Sequence, residues 1–172
     1  MFAVCSVLTW YLRGVIWGKW KKVGKSGEKM FTGQYEHAVD QKGRVAVPVR
    51  FREKLEKGSV VTKGLDGCLF VFPKSKWESL AKSVGQLPVN KASVRLYSRM
   101  LLANAVEIEF DNQGRILIPI FLRKFALINS KVIFAGIFDR VEIWSKHSWD
   151  EMTKSSDKDA GKIVEELSDF NT

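Results

Sequence analysis

The chain contains a near-copy of part of itself. VDQKGRVAVPVRFREKL, from Val39 to Leu55, is answered 71 residues later by FDNQGRILIPIFLRKFAL, from Phe110 to Leu127. Asp40 recurs as Asp111, Gly43 as Gly114, Arg44 as Arg115, Pro48 as Pro119 and Arg52 as Arg123. Each copy reads as a strand end, a turn, a second strand and a helix. An Asp side chain accepts hydrogen bonds from nearby backbone N–H groups, and Gly tolerates positive φ, so D-x-x-G is a sound turn signal. Pro suits the first turn of a helix, where its missing N–H would be unpaired anyway. A chain with such a twin has to fold as two units built on one grammar.

The rest of the chain repeats in the same order. Tyr35–Val39 is expected as a strand, then Arg44–Val47, then a basic helix over 49–56 closed by Gly58. Val60–Lys63 and Cys68–Phe72 read as a hairpin. Ser75 and Glu78 form an S-x-x-E capping box for a helix through Val84 that buries Trp77, Leu80, Ala81 and Val84. Lys91–Asn104 is expected as a helix linking the halves. The second copy then gives strands at Val106–Phe110 and Arg115–Ile118, a helix over Pro119–Ala126, strands at Lys131–Ala135 and Arg140–Trp144, and a helix from Lys146 in which Trp149 answers Trp77. This divides the chain into a leader 1–29, a first repeat 30–86, a linking helix 87–104, a second repeat 105–154 and a polar tail 155–172. The tail is read either as a short docking helix or as a partly ordered end.

A chain of 172 residues supports one sizeable domain or two small lobes sharing a core. Its net charge of +9 points to a polyanionic partner. Residues 30–99 carry thirteen Lys/Arg against six Asp/Glu, whereas residues 100–172 carry nine against twelve. The copies therefore share a grammar and differ in sign. Cys5 and Cys68 offer at most one disulfide and no metal-ligand spacing, which suits a reducing compartment. His37 with Cys68 could be drawn as a thiol–imidazole pair, but Cys68 lies in the apolar run CLFVF and reads as a small buried hydrophobe. No Gly-rich phosphate loop, serine nucleophile elbow or carboxylate cluster is present, so no enzyme, cofactor, metal or small-molecule substrate is expected.

Residues 1–29 do not resemble the remainder. Their apolar run is shorter than the roughly 20 residues of a membrane span and is broken by Arg13. The basic cluster follows the apolar run instead of preceding it, which is the wrong order for a secretory signal. A signal anchor is the alternative reading. Met30 is expected as the natural first residue, because Gly27-Glu28-Lys29-Met30 can be encoded with a GGAG-type ribosome site just upstream of Met30.

Two D-x-x-x-R motifs, DQKGR and DNQGR, each with Pro four residues after the Arg, resemble the SpoVT/AbrB-like DNA-binding fold. Two copies in one chain, the first preceded by MFTGQYEHAVD and each followed by a hairpin and a Trp-containing helix, look like the MraZ family from Met30 to about Met152. The resemblance implies a β-rich α+β fold in which two tandem strand–turn–strand–helix repeats interlock as a swapped-hairpin (double-split) β-barrel with flanking helices. It implies a bacterial transcription factor that represses the division and cell wall gene cluster, from the promoter ahead of its own gene. It also implies a ring-like homo-oligomer on spaced direct repeats of double-stranded DNA, in the cytoplasm over the nucleoid. No membrane partner is expected unless residues 1–29 act as an anchor.

Phosphate contacts come chiefly from Lys, Arg and backbone N–H groups. Lys42, Arg44, Arg50 and Arg52 in the first copy, with Arg115 and Arg123 in the second, are the expected DNA-binding residues. Asp40, Gly43, Asp111 and Gly114 are expected to shape the turns, and Asp111 with Arg115 to serve hairpin geometry. Lys54 and Lys57 read as a solvated helix face. An antitoxin-type module of the same fold, neutralising a protein toxin, is the alternative function. An RNA-binding protein is disfavoured because no exposed aromatics interleave the basic turn.

Overall fold

The computed structural model describes residues 30–55 and 57–168; residues 1–29, on which the leader and start-site expectations fall, lie outside them. The described chain runs β1 (Phe31–Ala38), β2 (Arg44–Ala46), α1 (Val49–Arg52), β3 (Val60–Lys63), β4 (Leu69–Phe72), α2 (Lys74–Gly85), α3 (Ala92–Leu102), β5 (Val106–Glu107), β6 (Arg115–Leu117), α4 (Ile120–Phe125), β7 (Lys131–Phe138), β8 (Arg140–Ser145) and α5 (Lys146–Ser168). The repeat in sequence is thus a repeat of elements.

Pairing mixes the two copies. One antiparallel sheet has the order β1-β7-β8-β4-β3-β5, and a separate two-stranded ribbon joins β2 to β6. The first strand of each repeat pairs with the third strand of the other. For β1 and β7 this is an eight-residue ladder from Phe31↔Phe138 to Ala38↔Lys131. For β5 and β3 it is only Val60↔Glu107 and Val61↔Val106. In the ribbon Val45 faces Ile116, its own counterpart, so a pseudo-two-fold axis passes between them.

The sheet is open, and this corrects the expected closed barrel. Its edge strands β1 and β5 do not pair with each other. β5 contributes only two ladder residues, Val106 and Glu107, where β1 contributes eight, so the two edges of the sheet are unequal and stay apart.

The core is built from twins. Val45 and Ile116, Val47 and Ile118, Phe51 and Leu122, Leu55 and Ala126, and Val61 and Val132 all lie in one buried cluster. Burying a Val, Ile, Leu or Phe side chain contributes roughly 1.5–3 kcal/mol, so interdigitation of the two copies stabilises both. Phe51 also meets Phe31 and Tyr35 edge-on, with ring centroids 5.7 and 5.2 Å apart. Thr62, buried on β3, donates its hydroxyl to the Leu101 carbonyl at 2.5 Å and ties α3 to the sheet.

Three local expectations change. Helix α2 begins one residue before Ser75, with Pro73 at its N-cap and no side-chain cap bond. Ser75 is therefore inside the first turn, and Glu78 lies 3.9 Å from Lys74. Trp77, Leu80 and Ala81 are half-buried, and only Val84 of the expected stripe is fully buried. The tail from Ser155 continues α5 without a break to Ser168.

Candidate nucleic-acid interface

The ribbon is made by turn chemistry. In the first copy Asp40 accepts the Arg44 backbone N–H at 2.8 Å through Oδ1 and the Arg44 Nε–H at 2.9 Å through Oδ2. In the second copy Asp111 accepts the same pair from Arg115 at 2.9 and 2.7 Å, and the Gln113 N–H at 2.9 Å. Gly43 and Gly114 sit at φ +85° and +70° and donate back to the Asp40 and Asp111 carbonyls. These positive angles are why Gly stands there. The backbone N–H, reinforced by the guanidinium, holds both carboxyls below the usual carboxylate range.

Side chains along the ribbon alternate in the ordinary way of a strand. Val45, Val47, Ile116 and Ile118 point into the core. Arg44 and Ala46 of β2, with Arg115 and Leu117 of β6, lie on the opposite face. The ladder reaches past the strands, since Ile118 N–H donates to the Gly43 carbonyl at 3.0 Å and Val47 N–H to the Gly114 carbonyl at 3.2 Å. Each turn therefore lies beside the start of the other copy's helix.

All of the sequence-predicted residues gather on or beside this ribbon, but not in equivalent settings. Lys42 is exposed at the first turn, and Arg50 is exposed on α1. Arg44 and Arg115 keep about a third of their side-chain surface, 35% and 27%, with Nε engaged by aspartate. Arg115 Nη1 is also 3.9 Å from Asp40 Oδ2, so the two motifs touch electrostatically across the pseudo-axis. Arg52 and Arg123 are half-buried and lie against the glycine of the opposite turn. The matching positions in the second copy are milder: Gln113 for Lys42 and Phe121 for Arg50.

Sequence reasoning missed an apolar group at the same place. Leu117, Ile120 and Phe121 are 56%, 56% and 43% exposed, and Val49, twin of Ile120, is 61% exposed. Alternation along β6 was the available signal for Leu117, because buried Ile116 and Ile118 flank it.

Cys68 and His37 lie outside the ribbon and apart from each other in the sheet. Cys68 is buried, its thiol is pushed up to about 12 by burial, and it donates to the Leu65 carbonyl. His37 lies on β1, with β7 and β8 between it and β4, which begins beside Cys68, and packs edge-on against Phe134 at 5.7 Å. Among the described residues no group of three His, Cys, Asp or Glu could hold a metal ion.

Comparison with known proteins accounts for both repeats. A family model described as "MraZ protein, putative antitoxin-like" matches twice, over residues 30–100 and 101–171. The chain is similar to a protein named transcriptional regulator MraZ from Caldanaerobacter subterraneus subsp. tengcongensis, 50% identical over 142 residues that make up 83% of this chain and 99% of the relative. The protein of the same name from Thermoanaerobacter sp. (strain X514) is 49% identical over the same shares. That from Pediococcus pentosaceus is 44% identical over 82% of this chain and 99% of its own length. With each repeat matched and nearly the full length of these relatives aligned, the chain belongs to the MraZ family.

Proposed function

We propose that this chain is a sequence-specific DNA-binding transcriptional regulator, not an enzyme, that reads double-stranded DNA with the β2–β6 ribbon. The observation that carries this reading is the ribbon's outward face, where Arg44 and Arg115 are aimed by Asp40 and Asp111 through paired hydrogen bonds. A two-stranded ribbon fits the major groove, and Arg Nη donors match the acceptor pair of guanine. Once Nε is engaged by aspartate, Nη1 and Nη2 are the donors left for a base edge or phosphate. Lys42 and Arg50 add exposed positive charge beside the first turn. The names of the curated relatives, all transcriptional regulators, support the same class.

In finer terms, the regulator represses the division and cell wall gene cluster from the promoter ahead of its own gene. It acts in the cytoplasm, over the nucleoid, and the described residues include no helix long and apolar enough to cross a membrane. Residues 30–86 and 105–154 act as the two reading units, with 87–104 linking them. One ribbon carries few donors and makes a weak reader, so several chains in a ring-like oligomer engage spaced direct repeats through effective concentration.

The test is binding to a duplex from just upstream of the gene, titrated against salt and against unrelated duplex. The reading expects a specificity ratio of at least 10³ and a steep fall of affinity with salt. A ratio near one would leave only nonspecific polyanion binding.

A further inference from the structure

Arg52 and Arg123 stand apart from the other basic residues. Each leaves a helix of one repeat and ends against the D-x-x-G turn of the other. A β-carbon at Gly43 would lie 2.6 Å from Arg123 Nε, and one at Gly114 would lie 2.6 Å from Arg52 Nε, so a guanidinium fills the space beside each glycine. Each arginine also donates to the carbonyl that ends its own ribbon strand, Arg52 Nη2 to Val47 at 3.3 Å and Arg123 Nε to Ile118 at 3.1 Å. Arg52 Nε is buried without a hydrogen-bond partner, so Arg52 is tied to its carbonyl through Nη2 where Arg123 uses Nε. The arrangement occurs twice under the pseudo-two-fold, so it is not the accident of one rotamer.

We infer that Arg52 and Arg123 are reciprocal positioning residues that clamp the two reading turns to each other, instead of contacting DNA. The inference rests on the ribbon as the reading surface. A planar guanidinium can lie flat on a bare glycine while its N–H fork reaches a carbonyl; a lysine ammonium has the charge and neither property. The glycines are thus required twice, for backbone φ and as seats for the opposite copy's arginine. The clamp couples the copies, because the first turn is held by a residue 80 positions away and the second by one 62 positions away, each in the other repeat.

Three measurements on the full chain test this. Amide exchange is followed in the free protein at Gly43, Arg44, Gly114 and Arg115, whose N–H groups make the turn bonds. Arg52→Ala and Arg52→Lys should each speed exchange at Gly114 and Arg115 at least ten-fold while Gly43 and Arg44 change little. Arg123→Ala and Arg123→Lys should do the reverse. In salt titrations with the upstream duplex all four variants should bind more weakly, with the slope of log K against log salt unchanged. Loss of a phosphate contact would instead reduce that slope by about 0.9. Wild-type exchange at the opposite turn, a slope reduced by about one, or full rescue by lysine would each overturn the clamp. If an alanine variant fails to fold, its lysine partner and the twin arginine carry the test. Failure of the parent chain to prefer the duplex would remove the DNA reading while the exchange data still decide the clamp.

Discussion

Arg44 and Arg115 are the same residue placed in two electrical settings. Both have Nε held by an aspartate, but Arg44 lies between exposed Lys42 and Arg50, while Arg115 lies among Gln113, Asn112 and Phe121. The Arg44→Ala variant should therefore lose ~1–3 kcal/mol of affinity for the specific duplex and discriminate less at one base position. Competition binding against single-base variants of the site checks both effects, and unchanged discrimination would move Arg44 to the phosphate backbone. The aspartates add a pH dependence. Their folded pKa values are depressed, so the turn support they give is complete above the unfolded value, about 4, and is lost as pH falls through the depressed folded value. NMR shifts of the Arg44 and Arg115 Nε–H groups should stay constant from neutral pH to about 4 and move only below it. A midpoint above about 4.5 would contradict the hydrogen-bonded geometry. The motif's turn role was legible in sequence because Asp, Gly and Arg act within five residues. The setting of Arg52 and Arg123 was not, because what they touch is brought there by the other copy.

At the scale of elements, pairing between copies decides where the chain is intolerant. Gly136 of β7 pairs with Gly33 of β1, and a β-carbon at Gly136 would lie 2.5 Å from the Thr32 backbone nitrogen and 2.7 Å from the Phe31 carbonyl carbon. Backbone cannot swing aside as a side-chain tip can. Gly136→Ala should thus destabilise the chain by about 1–3 kcal/mol, read as a lower denaturant midpoint, whereas Gly85→Ala on α2, where a β-carbon meets nothing, should be neutral or stabilising. Equal midpoints for the two variants would count against the β1–β7 register. Element order was readable from apolar alternation and Gly/Pro punctuation, and among the described residues every expected strand and helix occurs in its place, though α1 spans only Val49–Arg52 of the expected 49–56. The Ser75 cap failed because Pro73, its own φ fixed by the ring, takes the N-cap and lets α2 start at Lys74. The expected Val106–Phe110 strand shrank to two residues because strand length depends on a partner, which no local pattern encodes. The closed barrel failed for the same cause.

Across the two repeats, the pseudo-two-fold turns the ribbon, its turns and the buried core positions around it into matched pairs 71 residues apart. Lys42 and its twin Gln113 stand at the two ends of one ribbon, so charge can be moved between them without altering the scaffold. Lys42→Gln should lower the salt slope of binding by about 0.9, and Gln113→Lys should raise it by about the same amount. Both variants should melt with the parent. Opposite shifts of this size, with melting unchanged, would locate the phosphate contacts at the turn tips; no shift in either would remove them from there. The resemblance to a known family was legible because it rests on two short motifs in register. Alternation along β6 could have given the exposure of Leu117, but that of Ile120 and Phe121 was not legible, since an apolar residue at a helix start looks like core until its neighbours are known. Seen from the DNA, a dyad with a lysine at one end and a glutamine at the other is an arrow. Its scaffold is nearly indifferent to direction, but its chemistry is not, so on the proposed reading each ribbon should lie on its site one way round. Sites built for such readers should run head to tail like the words of a sentence, not mirror each other, and turning one of two adjoining repeats end for end should cost the pair its joint affinity.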